Sequence, residues 1–186
     1  MANKVRYGLK NAHYAIITDT AGVITFGTPV KLPGAVNLTL DPKGDKVEFY
    51  ADDIAYFVAE KNDGYEGSLE IAIVPDTFLK DVLGYKVDSN GALFEDANAL
   101  AKKIALLYEF SGDVNATRHV MYDVIPGRAA ISGKTKEKGI EVQTATMPLT
   151  AGPAQDTGYV KGKIKAGTAA YDGWFTNVYT LVPPVG

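Results

Sequence analysis

Apolar and polar residues alternate with a period of two in many short runs along this chain, and Gly, Pro and Asx residues punctuate them. That pattern constrains the fold more than any other feature, because only a strand sends successive side chains to opposite faces. Val36-Asn37-Leu38-Thr39-Leu40 puts Val36, Leu38 and Leu40 on one face, and Ser68 to Val74 does the same with Leu69, Ile71 and Ile73. Segments 104–110, 120–125, 143–149, 159–164 and 174–181 continue the alternation, and 46–50 and 55–59 are short aromatic or β-branched runs. Pro42-Lys43-Gly44-Asp45 and Asn62-Asp63-Gly64 read as turns.

One helix interrupts the strands, at about 76–83. Pro75 ends a strand, Asp76 is a good N-cap, Phe78, Leu79, Val82 and Leu83 fall at helical spacing, and Gly84 suits the C′ position. About two turns of helix cannot persist alone, so this one must pack on a sheet. Residues 96–103 have helical composition but run directly into the 104–110 strand, and stay ambiguous. The expected fold is mainly β: a sandwich or split barrel with a short flanking helix, a long inter-strand loop and flexible termini. One domain spans 1–186, with an N-terminal arm at 1–10, the loop at 41–67 and a C-terminal strand or arm at 168–186.

The stretch Gly127-Arg-Ala-Ala-Ile-Ser-Gly-Lys-Thr135 imitates a phosphate-binding loop. Such a loop needs glycine geometry that aims backbone N–H groups at phosphate, and a following helix whose N-terminus adds a positive dipole. Gly127 sits one residue too early, Arg128 occupies the glycine position, and the sequence after Thr135 is strand-like. The stretch therefore reads as a connection between strands. Asp52-Asp53 offers two carboxylates for a metal or a shared proton, but neighbours on a strand face apart and the calcium-loop ladder is missing. Capping of backbone N–H groups in a loop is the simpler reading.

The two histidines, His13 and His119, form no zinc pattern, cysteine is absent, and no serine lies in a nucleophile elbow. Tyr171, Trp174, Phe175 and Tyr179 allow a sugar-binding platform, though such residues more often fill a core. A net charge of −3 argues against a dedicated nucleic-acid binder. The first residues lack the apolar core of a secretory signal, and no apolar run nears the roughly 20 residues of a membrane span. We assign no catalytic, cofactor-binding or metal-ligating residue, and expect a binding or assembly module rather than an enzyme.

Several segments together resemble the major tail proteins of long-tailed phages and prophages of Gram-positive bacteria. They are Val5–Ala15, Glu48–Asp53, Gly64–Glu70, Pro75–Phe78 with Asp81–Gly84, Ala116–Val120 and Tyr171–Tyr179. Their order and spacing span nearly the whole chain; 97–103 is the part where relatives are expected to vary. The resemblance implies a tail-tube subunit made in the host bacterial cytoplasm and carried in the virion tail, with no cofactor and no membrane. Six copies would form a ring whose sheets join into an inner barrel, and rings would stack through a long loop and the termini. It implies tape-measure, tail-terminator and distal tail proteins as partners, a non-contractile tail, and DNA passing through the lumen without specific binding.

The residues expected in the inter-ring loop are Phe49, Tyr50, Asp52, Asp53, Tyr56 and Tyr65, since aromatics are enriched where surfaces become buried in assemblies. Glu70 and Glu109 are expected to face the lumen, where acidic side chains would let a polyanion slide. The alternative from another class is a carbohydrate-binding β-sandwich of a tail tip or cell-wall protein, using the C-terminal aromatics.

Overall fold

The computed structural model describes residues 7–135 and 142–182. Its strands are β1 (Leu9–Thr20), β2 (Val23–Phe26), β3 (Val30–Lys31), β4 (Ala35–Lys43), β5 (Lys46–Ala51), β6 (Ile54–Glu60), β7 (Gly64–Ile71), β8 (Lys86–Val87), β9 (Leu93–Phe94), β10 (Ile104–Phe110), β11 (Arg118–Pro126), β12 (Ala145–Gly152) and β13 (Lys161–Ile164). Helix α1 (Asp76–Asp81) lies between β7 and β8, and a 3₁₀ turn spans Asp172–Phe175. The fold is mainly β, as the alternation requires.

Nine strands form one antiparallel sheet with the path β2-β1-β10-β11-β12-β7-β4; β3 joins it on β1 and β13 on β11. The sheet curls. β3 pairs with β1 at His13 and Tyr14, and Leu32 N–H donates to Ala12 O before the chain enters β4, the far end of the path. The two ends of the path are thus drawn together, in the manner of a split barrel.

The concave face carries the main core: Tyr14 of β1, Leu69 and Ile71 of β7, Leu106 of β10, Met121 of β11, and Met147 and Leu149 of β12, all at 2% exposure or less. Phe78 and Val82 from the α1 region complete it at 0%, and Phe78 meets Tyr14 edge-on at 4.9 Å. The short helix survives because that face is buried. Side chains of Ala15, Ala105, Leu107 and Val120 point the other way into a second cluster, closed by Trp174. Strand β10 is therefore buried on both faces, which explains its apolar run from Ile104 to Tyr108.

Several expectations are corrected. β1 extends to Leu9, so 9–10 belong to the sheet, and Gly112 and Ser111 in the turn after β10 donate backbone N–H groups to Tyr7 and Gly8, so 7–10 are no free arm; 1–6 lie outside the described residues. α1 starts at Asp76 as expected, but its N-cap is Pro75 rather than Asp76, and it stops at Asp81. Gly84 does follow in the left-handed region, at φ 76°. Residues 96–99 form a turn on Asp96 rather than a helix, since Asp96 accepts from the Asn98 and Ala99 N–H groups. A bulge between Ala35 and Asn37 turns Val36 outward, leaving Leu38 and Leu40 on the core side.

The C-terminal strand expected at 174–181 is also absent. Tyr171, Trp174, Phe175, Val178 and Tyr179 recur at helical intervals, and the chain turns at Asp172–Phe175 so that these rings reach the sheet. Residues 183–186 lie outside the described ones.

Candidate functional site

The long loop expected at 41–67 is three structured pieces. Asp41–Lys43 end β4, Gly64–Gly67 begin β7, and between them β5 and β6 form a two-stranded hairpin that, among the described residues, pairs with no other strand. The hairpin continues the line of β4 and β7: Asp63 N–H donates to Lys43 O and Lys61 N–H to Asp45 O. Asp52 and Asp53 are its turn, with φ of 52° and 60°. Two positive φ values in a two-residue turn match the right-handed twist of the strands, and Asp tolerates that region better than most residues. Among the described residues, no three His, Asp or Glu gather where a metal could sit.

Phe49 and Phe57 are cross-strand partners. Val47, Phe49, Tyr50, Ile54, Tyr56, Phe57 and Val58 are each half or more exposed, Tyr56 at 72%. Cross-strand pairing puts Phe49 and Phe57 on one face, while Tyr56 and Val58 flank Phe57 on the other. The ribbon is therefore apolar on both faces, and the chain's own core covers neither. Contiguous exposed apolar patches are uncommon on single soluble chains. Glu48 accepts from Tyr50 and pairs with Lys46, which holds its carboxyl below the usual range.

Tyr65 is not in the hairpin. It sits in β7 between Ala151 and Pro42, half-buried, with the Lys161 ammonium 4.6 Å from its ring and hydrogen-bonded to its hydroxyl.

The convex face of the sheet has two regimes. Across β4, β7 and β12 it is polar: Asn37, Thr39 and Asp41 register with Glu70, Ser68 and Glu66, and these with Thr146, Pro148 and Thr150. Glu70 lies on this face and accepts from the Thr144 hydroxyl at 2.6 Å. Across β11, β10 and β1 the same face is covered by the C-terminal segment.

Glu109 falls in the covered part, and its expected place on a channel wall is corrected. Its side chain is 6% exposed, accepts from Arg118 Nε at 3.2 Å and Asn11 Nδ2 at 2.7 Å, and pairs with Lys10 at 3.3 Å. Alternation along β10 does turn it away from the core, but the layer it meets there is protein.

The C-terminal aromatics build that layer. Trp174 is 2% exposed and donates its indole N–H to His119 O, Phe175 stacks on His13 at 4.7 Å, and the Tyr122 hydroxyl donates to Tyr179 O at 2.8 Å. Their rings are engaged in packing, with little of the Trp174 face left to stack on a sugar.

The phosphate-loop look-alike is a connection, as its spacing implies. No helix occurs at 127–135, and Gly127 is there for close approach: an added Cβ would lie 2.6 Å from Pro148 Cγ. Residues Lys136 and Lys138 of the charged run lie outside the described ones. Comparison of the chain with protein-family models and with curated protein sequences returned no match. Among the described residues no helix is long and apolar enough to cross a membrane.

Proposed function

We propose that this chain is a structural subunit that self-assembles into six-membered rings, stacked as a tail tube through which DNA is delivered. The observation that carries the reading is the β5–β6 hairpin, an aromatic ribbon exposed on both faces, which supports a surface that a second molecule covers. β4 supports it, since among the described residues the sheet pairs it with β7 alone, which leaves its other edge for a neighbouring copy. The polar face bearing Asp41, Glu66 and Glu70 supports a lumen wall that does not hold phosphate. Family resemblance adds tape-measure, terminator and distal tail proteins as partners, and a place in the virion.

Negative-stain electron microscopy of the purified protein tests the reading. Long hollow tubes or stacked six-fold rings are expected. Replacing Tyr50 and Tyr56 by Ser should stop their growth; a wild-type protein that stays monomeric at every concentration would sink the proposal.

A further inference from the structure

The C-terminal layer does not close fully against the sheet. Between it and β13 lies an open cleft of about 480 Å³, inside the range of roughly 300–1,000 Å³ that small-molecule sites occupy. Tyr122 contributes a buried ring to the lining, fixed by the bond from its hydroxyl to Tyr179 O. Gly162 lines the cleft beside it, and an added Cβ there would sit 2.8 Å from the Tyr122 hydroxyl and 3.1 Å from Val120 Cγ1. The Tyr122 phenol can lie against β13 only because 162 has no side chain. Tyr179 lines the cleft too, backed by Trp174, whose ring stacks on it at 5.6 Å. Tyr159 and Leu181 are the open members of the lining, 44% and 55% exposed. Packing within the chain thus holds several ring faces in place around one cavity.

The charge of the lining has one sign. Lys161 and Lys163 belong to it, on a strand that among the described residues pairs with β11 alone, and no carboxylate does. Lys161 donates to the Tyr65 hydroxyl, a neutral partner, and neither lysine forms an ion pair with a described residue. An anion entering the cleft gains both attractions without displacing a carboxylate, and charge-assisted contacts are the strong ones. A neutral sugar or a purely apolar molecule would leave both ammonium groups unused. We infer that the cleft between β13 and the C-terminal segment binds a small planar aromatic acid. Its rings lie against Tyr122, Tyr159 and Tyr179, and its acidic group meets Lys161 and Lys163. Every residue of the site comes from one chain, so binding goes beyond the tube reading and does not depend on it.

Trp174 is the chain's one tryptophan and lines the cleft, so its emission reports on this site. The probe is 8-anilinonaphthalene-1-sulfonate, titrated into the wild-type protein with energy transfer from Trp174 as the signal. Saturable transfer with a dissociation constant below about 1 mM is expected. Ala169→Phe places a ring at an exposed lining position and should abolish it. Lys161→Gln with Lys163→Gln should weaken the sulfonate about fivefold or more, the loss of charge-assisted contacts at an exposed rim. The same variant should leave N-phenyl-1-naphthylamine, which has the same rings and no sulfonate, unchanged. Lys31→Gln with Lys80→Gln removes equal charge from exposed positions outside the cleft and should leave both probes unchanged. No saturable transfer in the wild type overturns the inference. So does transfer that survives Ala169→Phe, or a lysine effect that is equal for the two probes or matched by the distant pair.

Discussion

The guanidinium of Arg118 lies flat against the Tyr171 ring, 3.8 Å from its centroid, and Phe175 stands beside it at 4.8 Å. The same group reaches Tyr171 O through Nη1 and Glu109 through Nε. One side chain therefore ties the C-terminal segment to the sheet and neutralises a buried carboxylate. Removing one partner of a buried pair costs about 3–5 kcal/mol where the other charge is left uncompensated, but Lys10 and Asn11 still hold Glu109 when Arg118 is gone. Arg118→Ala and Glu109→Ala should therefore each lose about 1–3 kcal/mol by urea denaturation. Arg118→Lys should recover only part, because a point charge cannot stack on Tyr171 as a planar fork does. A loss below 1 kcal/mol for both alanine variants would mean the network is not a structural element.

Trp174 closes the second apolar cluster over Ala15, Ala105, Leu107 and Val120. Trp174→Ala should cost about 3–5 kcal/mol and open that face to a hydrophobic dye. A solvent-facing sugar platform would behave in the opposite way, losing glycan binding with stability unchanged. Denaturation and glycan-array measurements on the one variant separate the two.

The Tyr122 hydroxyl holds Tyr179 O, and burial, with the Tyr179 phenol nearby, pushes its own phenol above the ordinary 10.0. A folded value above the unfolded one gives stability that is complete below about pH 10 and disappears as pH rises through the folded value. Tyr122→Phe should therefore cost about 1 kcal/mol near neutrality. The gap between variant and wild type should shrink above pH 10, read as urea midpoints across a pH series. A gap independent of pH would show that the phenol does not titrate against folding.

Strands with one solvent face were legible in the sequence because alternation reports burial directly. β4, β7 and β12 overlap the runs expected at 36–40, 68–74 and 143–149, with ends shifted by one to four residues. β1 was not read as a strand, although Ala12, Tyr14 and Ile16 alternate there, because both its faces are covered and Ala15 blurs the pattern. At the C-terminus the aromatics' interval of three and four residues was present, but β-rich composition outweighed it. Glu109 was misplaced for a different reason. A period-two pattern says which face a residue takes, and cannot say that a segment more than 60 residues later will cover that face. The hairpin was found as a loop: Asp52-Asp53 is a weaker turn signal than Asp-Gly, and aromatic richness drew attention to the segment without revealing its pairing.

Among its described side chains the hairpin contributes nothing to either apolar cluster, so its removal separates folding from assembly. Asp45 and Lys61 already face each other through a backbone hydrogen bond of 3.0 Å. Replacing residues 46–60 by Asn-Gly supplies a type I′ turn across that gap. The shortened protein should keep its melting temperature within a few degrees and its far-ultraviolet dichroism, since no core residue is lost. It should sediment as a monomer and form no tubes under conditions where the full chain does. Tubes grown by the shortened protein would exclude the hairpin as the stacking element, whatever the effect of substitutions within it. A collapse of the melting temperature would instead show that β4 and β7 need the hairpin to pair.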